Sequence, residues 1–252
     1  GSGFSMQIKR DNDWFALQGE LQVNEDTVIE IRQLLDLLSG RQGRFLQLQD
    51  GQFIALTDEF RRRHDDLKAY ADLTGKKVRI NPLAALTLED WQDEAGFKAD
   101  KHWQAHMQRL KAAREYQPAV SSTFQAELRD YQSDGFNWLA RLAQWGVGAC
   151  LADDMGLGKT IQALALLVDK APNGPSLIIA PTSVCMNWES EALRFAPTLN
   201  PILFGSGDRQ RKLDNLGPYD LLICSYGLLQ QEQAAEMLAA TRFQIAILDE
   251  AQ

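Results

Sequence analysis

The chain predicts an α/β fold in which a mostly parallel, doubly covered sheet follows a smaller mixed α/β module. Three observations carry this. After residue 117, short apolar runs alternate with segments of helical spacing: GVGACLA (146–152), SLIIAPT (176–182), NPILFG (200–205), DLLICSY (220–226) and QIAILDE (244–250). Strand and helix alternating at that pace imply parallel strands with helices on both faces. A glycine-rich turn, DDMGLGKT (153–160), follows the first run and opens a helical pattern ending near Lys170. Before residue 117 the period is different, mixing strand-like alternation with amphipathic helices. The proline- and serine-containing joint QPAVSST, Gln117 to Thr123, is the natural boundary, giving domains 1–117 and 118–252.

Taken in order, GSGFS (1–5) reads as a cloning remnant before Met6. WFALQGELQV (14–23) alternates as a strand, and TVIEIRQLLDLL (27–38) has helical spacing until Gly40 stops it. RFLQLQ and QFIAL flank Asp50-Gly51, a tight hairpin turn. Thr57 caps a helix with Phe60, His64, Leu67 and Ala71 on one face, KKVRI is a short strand, and helices follow over 82–91 and 98–116. The longer one carries Trp103, Met107 and Leu110.

Two features of this half have competing readings. His102 and His106 stand four apart on a helix, the spacing of a two-histidine metal site, but Trp103 occupies the place of a general-base glutamate, so structural histidines are the preferred reading. Arg61, Arg62 and Arg63 form a basic run, yet Asp58, Glu59, Asp65 and Asp66 surround it, as on a self-neutralised, solvated face.

The bulk numbers bound the partners. Among 252 residues, 45% are hydrophobic and 24% charged, with a net charge of −8. Residues 1–117 hold 17 Lys+Arg against 19 Asp+Glu, and the remainder 9 against 15. The charge argues against a chain-wide electrostatic grip on nucleic acid or anionic membrane, so any DNA contact must be local. No apolar run approaches the ~20 residues of a spanning helix, and the start lacks the apolar stretch of a signal peptide. Cys150, Cys185 and Cys224 are too dispersed for a zinc knuckle, and beside apolar runs they read as reduced small hydrophobes. A cytoplasmic location follows.

The chemistry concentrates in the second half. In DDMGLGKT the loop residues Met155, Gly156, Leu157 and Gly158 can turn their N–H groups onto an anion, Lys159 can bridge phosphate oxygens, and the Thr160 hydroxyl can ligate magnesium. The generic phosphate-loop pattern wants glycine where Asp153 stands, and Asp153 and Asp154 beside an anion site call for an explanation. ILDEAQ places Asp249 and Glu250 at the end of an apolar run about ninety residues later. There Asp249 suits holding the metal and Glu250 suits activating the attacking water.

The loop sequence, LADDMGLGKTIQ (Leu151 to Gln162), resembles motif I of the Swi/Snf-type helicase-like ATPases of superfamily two. LRDYQSDGFNWL (Leu128 to Leu139), APTSVCMNWESE (Ala180 to Glu191), CSYGLL (Cys224 to Leu229) and ILDEAQ (Ile247 to Gln252) continue the resemblance in the same order. The first half is similar, less specifically, to the helicase-associated region preceding the core in bacterial members, through WFAL and DGQFIALTDEF.

The resemblance implies that 118–252 is the first RecA-like ATPase lobe, ending after motif II, with 1–117 as the helicase-associated module. It implies ATP and magnesium as cofactors, Gln132 as the adenine reader and Arg129 as a candidate to hold that end of the nucleotide. Thr182, Ser183, Ser225 and Tyr226 become candidates for phosphates of the tracked strand. Tyr131, Phe136, Trp138, Leu139, Trp188 and Leu193 read as packing. A second lobe carrying an arginine finger is implied beyond Gln252, so the chain reads as an N-terminal fragment that binds Mg-ATP without acting alone. The parent would be a double-stranded-DNA translocase or remodelling ATPase, with no membrane partner. The alternatives are a strand-separating helicase, or a partner-binding module whose first hundred residues dock a protein.

Overall fold

The computed structural model describes residues 4–23, 27–38, 45–47, 53–55, 58–75, 77–91, 96–154, 156–205 and 207–251. They form two compact units. The first comprises Gly1–Tyr116 with Gln144–Val147, and the second Gln117–Ala143 with Gly148–Gln252.

In the first unit, β1 (Phe4–Asp11), β2 (Trp14–Gln22) and β3 (Val28–Glu30) lead into α1 (Ile31–Leu38). The pair β4 (Phe45–Gln47) and β5 (Phe53–Ala55) precedes α2 (Asp58–Lys68), then β6 (Ala71–Asp72) and β7 (Val78–Ile80). The last elements are α3 (Ala85–Leu88), between two single helical turns, β8 (Phe97–Ala99) and α4 (Lys101–Glu115). The sheet runs β6-β7-β2-β1-β8, with β3 also on β2. It is mixed, because β8 joins β1 parallel while the other pairings are antiparallel. Alternation in β2 buries Phe15, Leu17 and Leu21 on one face.

Phe4 and Ser5 extend β1 opposite Leu21 and Glu20. Two expectations for this half change. The segment from residue 27 begins as strand β3, where β-branched Val28 and Ile29 pair with Gln22 and Leu21, and becomes helix only at Ile31. Lys98 and Ala99 lie in β8, because the helix cannot start before its cap: Asp100 accepts from the Trp103 N–H at 2.8 Å and from the Arg10 N–H at 2.8 Å. The hairpin pairs Phe45–Gln47 with Phe53–Ala55 as expected. Its turn at Asp50-Gly51, the Gly40 stop and the Thr57 cap lie outside the described residues.

His106 is a buried member of an aromatic cluster, 5.5 Å from the Phe15 ring and 5.2 Å from the Trp145 ring. Its Nε2 meets the Pro82 carbonyl at 2.9 Å, and the Arg109 guanidinium reaches Nδ1 at 3.4 Å. Burial holds its pKa below the ordinary 6.5, and the Arg109 charge adds to that, against the opposing Pro82 bond. Among the described residues no group of three or more His, Cys, Asp or Glu is placed to hold a metal. Arg61 pairs with Asp65 at 3.9 Å on α2.

The second unit contains α5 (Asp130–Trp145), whose last residues count with the first unit, and α6 (Lys159–Lys170). Then come β9 (Ser176–Ala180), α7 (Thr182–Phe195), β10 (Asn200–Leu203) and α8 (Arg209–Asp214). The chain goes on through β11 (Asp220–Ser225), α9 (Tyr226–Leu229), α10 (Glu232–Ala240) and β12 (Ile245–Leu248). The sheet order is β10-β11-β9-β12 and every pairing is parallel, as a RecA-like lobe requires. All of β9 is buried, which is why SLIIA reads as a continuous apolar run. Leu177, Ile179, Leu222 and Cys224 pack with Phe204 and Leu238, each aliphatic side chain contributing about 1.5–3 kcal/mol by leaving water.

GVGACLA is the expected strand that does not form. Residues 147–154 have no regular structure, and Gly148, Ala149 and Cys150 are exposed. Two glycines and an alanine leave little apolar surface to hold a parallel strand, and glycine forfeits the most backbone entropy on ordering. Cys150 is accordingly an exposed thiol, whereas Cys185 and Cys224 are buried and Cys224 is pushed up to about 11, chiefly by burial. Leu193, Trp138 and Tyr131 are also surface residues, 59%, 43% and 39% exposed, while Phe136, Leu139 and Trp188 are core.

Candidate functional site

Residues 153–160 and the start of α6 form one cluster. Gly158 is the residue preceding α6, at φ 76° and ψ 42°, and Gly156 has φ 83°, both left-handed and strained for any residue with a Cβ. No side chain caps α6. Its first-turn N–H groups therefore have no side-chain acceptor at the positive end of a twelve-residue helix.

Gln132, buried near the start of α5, ties into this loop. Its Nε2 donates to the Leu157 carbonyl at 3.1 Å, and its Oε1 accepts from the Arg129 N–H at 3.0 Å. A Cβ on Gly158 would come within 2.5 Å of that Nε2, so the glycine also permits the close approach. The Gln132 amide has two N–H donors and two lone pairs, and one of each is used here. The Arg129 side chain is exposed.

Lys159 Nζ donates to the Asp153 carbonyl at 2.7 Å and to the Asp154 carbonyl at 3.1 Å. Both residues are exposed, and what they present to the lysine is backbone oxygen, so their carboxylates are not its partners. Thr160 is the second residue of α6 and half-buried. Met155 lies outside the described residues. A groove of about 570 Å³ runs between α5 and the segment entering the loop, lined by Tyr131, Asp134, Trp138, Cys150 and Leu157 among others.

A second cluster surrounds Asp249. Its N–H continues the β12–β9 ladder to the Ile179 carbonyl at 2.8 Å. Its Oδ2 accepts from Trp188 Nε1 at 2.8 Å, and its carbonyl from the Tyr226 hydroxyl at 2.9 Å. Burial raises the Tyr226 pKa, and the nearby Asp249 adds to it. Glu250 is exposed and left-handed at φ 51°, a strain of about 1–2 kcal/mol for a non-glycine residue. Such strain persists where the surroundings dictate the backbone.

The structure thus gathers Arg129, Gln132, Gly156, Leu157, Gly158, Lys159 and Thr160 at one place and fixes Asp249 with Glu250 at the end of β12. Between them α6 packs against α7, the helix that carries Trp188. Of the candidate strand contacts, Thr182 and Ser183 are exposed in the first turn of α7. Ser225 is spent capping α9 through the Leu228 N–H at 3.3 Å, and Tyr226 on Asp249. Sequence reading missed Trp188 and Tyr226 as holders of Asp249. The available signal was a buried indole, whose N–H usually takes an acceptor.

A family model described as SNF2-related domain matches residues 131–252. YwqA of Bacillus subtilis (strain 168) is 36% identical over 226 residues, which cover 80% of this chain and 24% of that protein. Helicase SWR1 of Saccharomyces cerevisiae is 41% identical over 141 residues, covering 52% of this chain and 9% of that protein. Among solved structures, the Sulfolobus solfataricus SWI2/SNF2 ATPase core in complex with dsDNA is 37% identical with a TM-score of 0.48, covering 54% of this chain and 28% of that one. The chain spans well under a third of the length of each.

Proposed function

Residues 131–252 belong to the SNF2-related domain family, the Swi/Snf helicase-like ATPases, and from that premise we propose that this chain binds Mg-ATP and serves as the first lobe of a double-stranded-DNA translocase. One observation carries the nucleotide reading: the uncapped amino end of α6, opened by left-handed Gly158, with Lys159 and Thr160 in its first turn. That is the geometry of an anion cradle.

The roles follow from chemistry. The amides of 155–160 and Lys159 take the phosphates. Gln132 has one donor and one acceptor left over for an adenine edge, and Arg129 can close over that end. Magnesium keeps several waters and substrate oxygens, so Thr160 and Asp249 suffice without a dedicated carboxylate cage. Trp188 engages one oxygen of Asp249 and orients the other. Glu250 stands next in sequence to activate water.

The proposal extends to the chain's own turnover. A charge-stabilising arginine from a second lobe would raise turnover by about 10³ to 10⁵, as in related phosphate-loop enzymes, so this chain alone should bind ATP and hydrolyse it at background rates. The three free cysteines favour a reducing, cytoplasmic setting. Among the described residues no helix is long and apolar enough to cross a membrane. The module 1–117 is a candidate for docking a protein partner.

Calorimetric titration of Mg-ATP into the chain tests the nucleotide reading. Saturable binding of one nucleotide per chain that disappears with EDTA is expected, and absence of heat at millimolar Mg-ATP would overturn it. For a longer protein containing these residues, ATP turnover should be stimulated by duplex DNA without strand separation. Unwinding of a duplex substrate would favour the helicase alternative.

A further inference from the structure

Two glycines and two glutamines interlock α5 with the loop and α6. Gln132 of α5 lies over Gly158 of the loop. In return, Gln162 of α6 lies over Gly135 of α5, where a Cβ would collide with the Gln162 carboxamide oxygen and come within 3.0 Å of its Cδ. Gln132 and Gly135 are three apart on α5, and Gly158 and Gln162 four apart at the start of α6. Each pair therefore belongs to one face of its element.

Both members of the second pair are locally poor choices. Gly135 sits inside a sixteen-residue helix, where glycine is disfavoured more than any residue but proline. Gln162 is fully buried, its Nε2 makes only a 3.5 Å contact to the Gly158 carbonyl, and its Oε1 has no hydrogen-bond partner. Leucine or methionine would fill that space without burying an unpaired oxygen. Two locally unfavourable residues in direct contact mark a place where close approach is worth more than local stability.

We propose that Gly135 and Gln162 are positioning residues for nucleotide binding: by setting how near α5 lies to α6, they hold Gln132 at the 3.1 Å bond that fixes the Leu157 carbonyl of the phosphate loop. This rests on the nucleotide reading above. A methyl group at Gly135 pushes α5 away from Gln162 and breaks the Gln132 bond one turn earlier. The Leu157 peptide then loses its tether, and the loop amides lose their common aim.

The test measures Mg-ATP affinity by calorimetry, and melting temperature in parallel, for Gly135→Ala, Gln162→Ser, their double variant, and Gly135→Ala combined with Gln132→Ala. Gly135→Ala should weaken binding about tenfold or more. Adding Gln162→Ser should recover most of that loss by making room, although Gln162→Ser alone weakens binding about threefold; such a reversal of sign is the mark of directly coupled residues. In the Gln132→Ala background, Gly135→Ala should change affinity less than about threefold, because the bond it acts through is already gone. A purely structural role would lower the melting temperature with no such dependence on Gln132. Wild-type affinity in Gly135→Ala, or an equal loss with and without Gln132, would overturn the proposal. Should Gly135→Ala fail to fold, Gln162→Ser adds no atoms and decides alone: unchanged affinity sinks the inference. A wild-type chain that takes up no Mg-ATP would instead refute the nucleotide reading, which makes the two failures distinguishable.

Discussion

Trp188 Nε1 donates a 2.8 Å hydrogen bond to Oδ2 of Asp249, joining the core of α7 to the acidic end of β12. The indole is 2% exposed and the bond has a charged acceptor, so its loss should remove about 1.5–3 kcal/mol. Trp188→Phe keeps most of the packing and deletes the donor. The expected outcome is a folded protein of lower melting temperature that needs more magnesium for half-maximal ATP binding, because Asp249 no longer starts in one orientation. Unchanged magnesium dependence would show that the bond serves stability alone.

That bond also marks where sequence reading stopped. The strands at 176–180 and 220–225 were legible because a strand buried on both faces leaves an uninterrupted apolar run, whereas those at 200–203 and 245–248 are only partly buried and show as shorter apolar runs. The glycine turn before α6 was legible because left-handed glycines and a helix start leave a local signature. What stayed hidden was pairing across the chain: Trp188 with Asp249 is 61 residues apart, and Gln132 with Leu157 is 25. Nor does a one-dimensional pattern say which face of a helix meets solvent. Leu193, Tyr131 and Trp138 have the spacing of core residues on helices whose other faces are the buried ones. GVGACLA misled because its small residues look apolar yet offer too little surface to order a strand.

His106 should make the first unit sensitive to mild acid. In the neutral form Nε2–H can donate to Pro82 while Nδ1 accepts from Arg109; protonation would set a second N–H against that guanidinium. The folded-state pKa lies below the ordinary 6.5. The unfolded chain thus binds the proton first, and stability present above 6.5 is lost as pH falls through the window beneath it. The melting temperature should drop between about pH 7 and pH 5, with a shallower slope in His106→Gln. Equal slopes would assign the acid sensitivity to other groups.

Residues 117–123 should be the first site of proteolysis. The joint has no helix or strand, Gln117, Ala119 and Val120 are exposed, and regular anchoring resumes at buried Phe124 and at Gln125, whose N–H bonds to the Phe195 carbonyl at 2.7 Å. We expect a nonspecific protease at low ratio to cut there and release two resistant pieces, read by mass spectrometry. Early cuts within Trp14–Gln22 would refute independent folding of 1–117.

The sharpest separation of binding from chemistry comes from Lys159 and Glu250. Lys159 Nζ now bonds to the carbonyls of Asp153 and Asp154, at 2.7 and 3.1 Å, so its charge is already held over the loop and a phosphate has only to exchange places with neutral oxygens. Lys159→Ala removes a charged hydrogen bond of about 1.5–3 kcal/mol, or roughly 10- to 100-fold in Mg-ATP affinity at 1.4 kcal/mol per decade. Glu250→Gln alters only the group assigned to water activation, and exposed Glu250 supports no packing that binding needs. Its affinity should stay within about threefold of wild type, since no phosphate contact changes. Phosphate release by the unmodified chain should remain near background with or without duplex DNA if, as proposed, the charge-stabilising arginine comes from a second lobe. Lys159→Ala that binds normally would take the loop out of the mechanism. Duplex-stimulated turnover by the unmodified chain, abolished by Glu250→Gln, would confirm Glu250 as the group that activates water and at the same time overturn the claim that a second lobe is required.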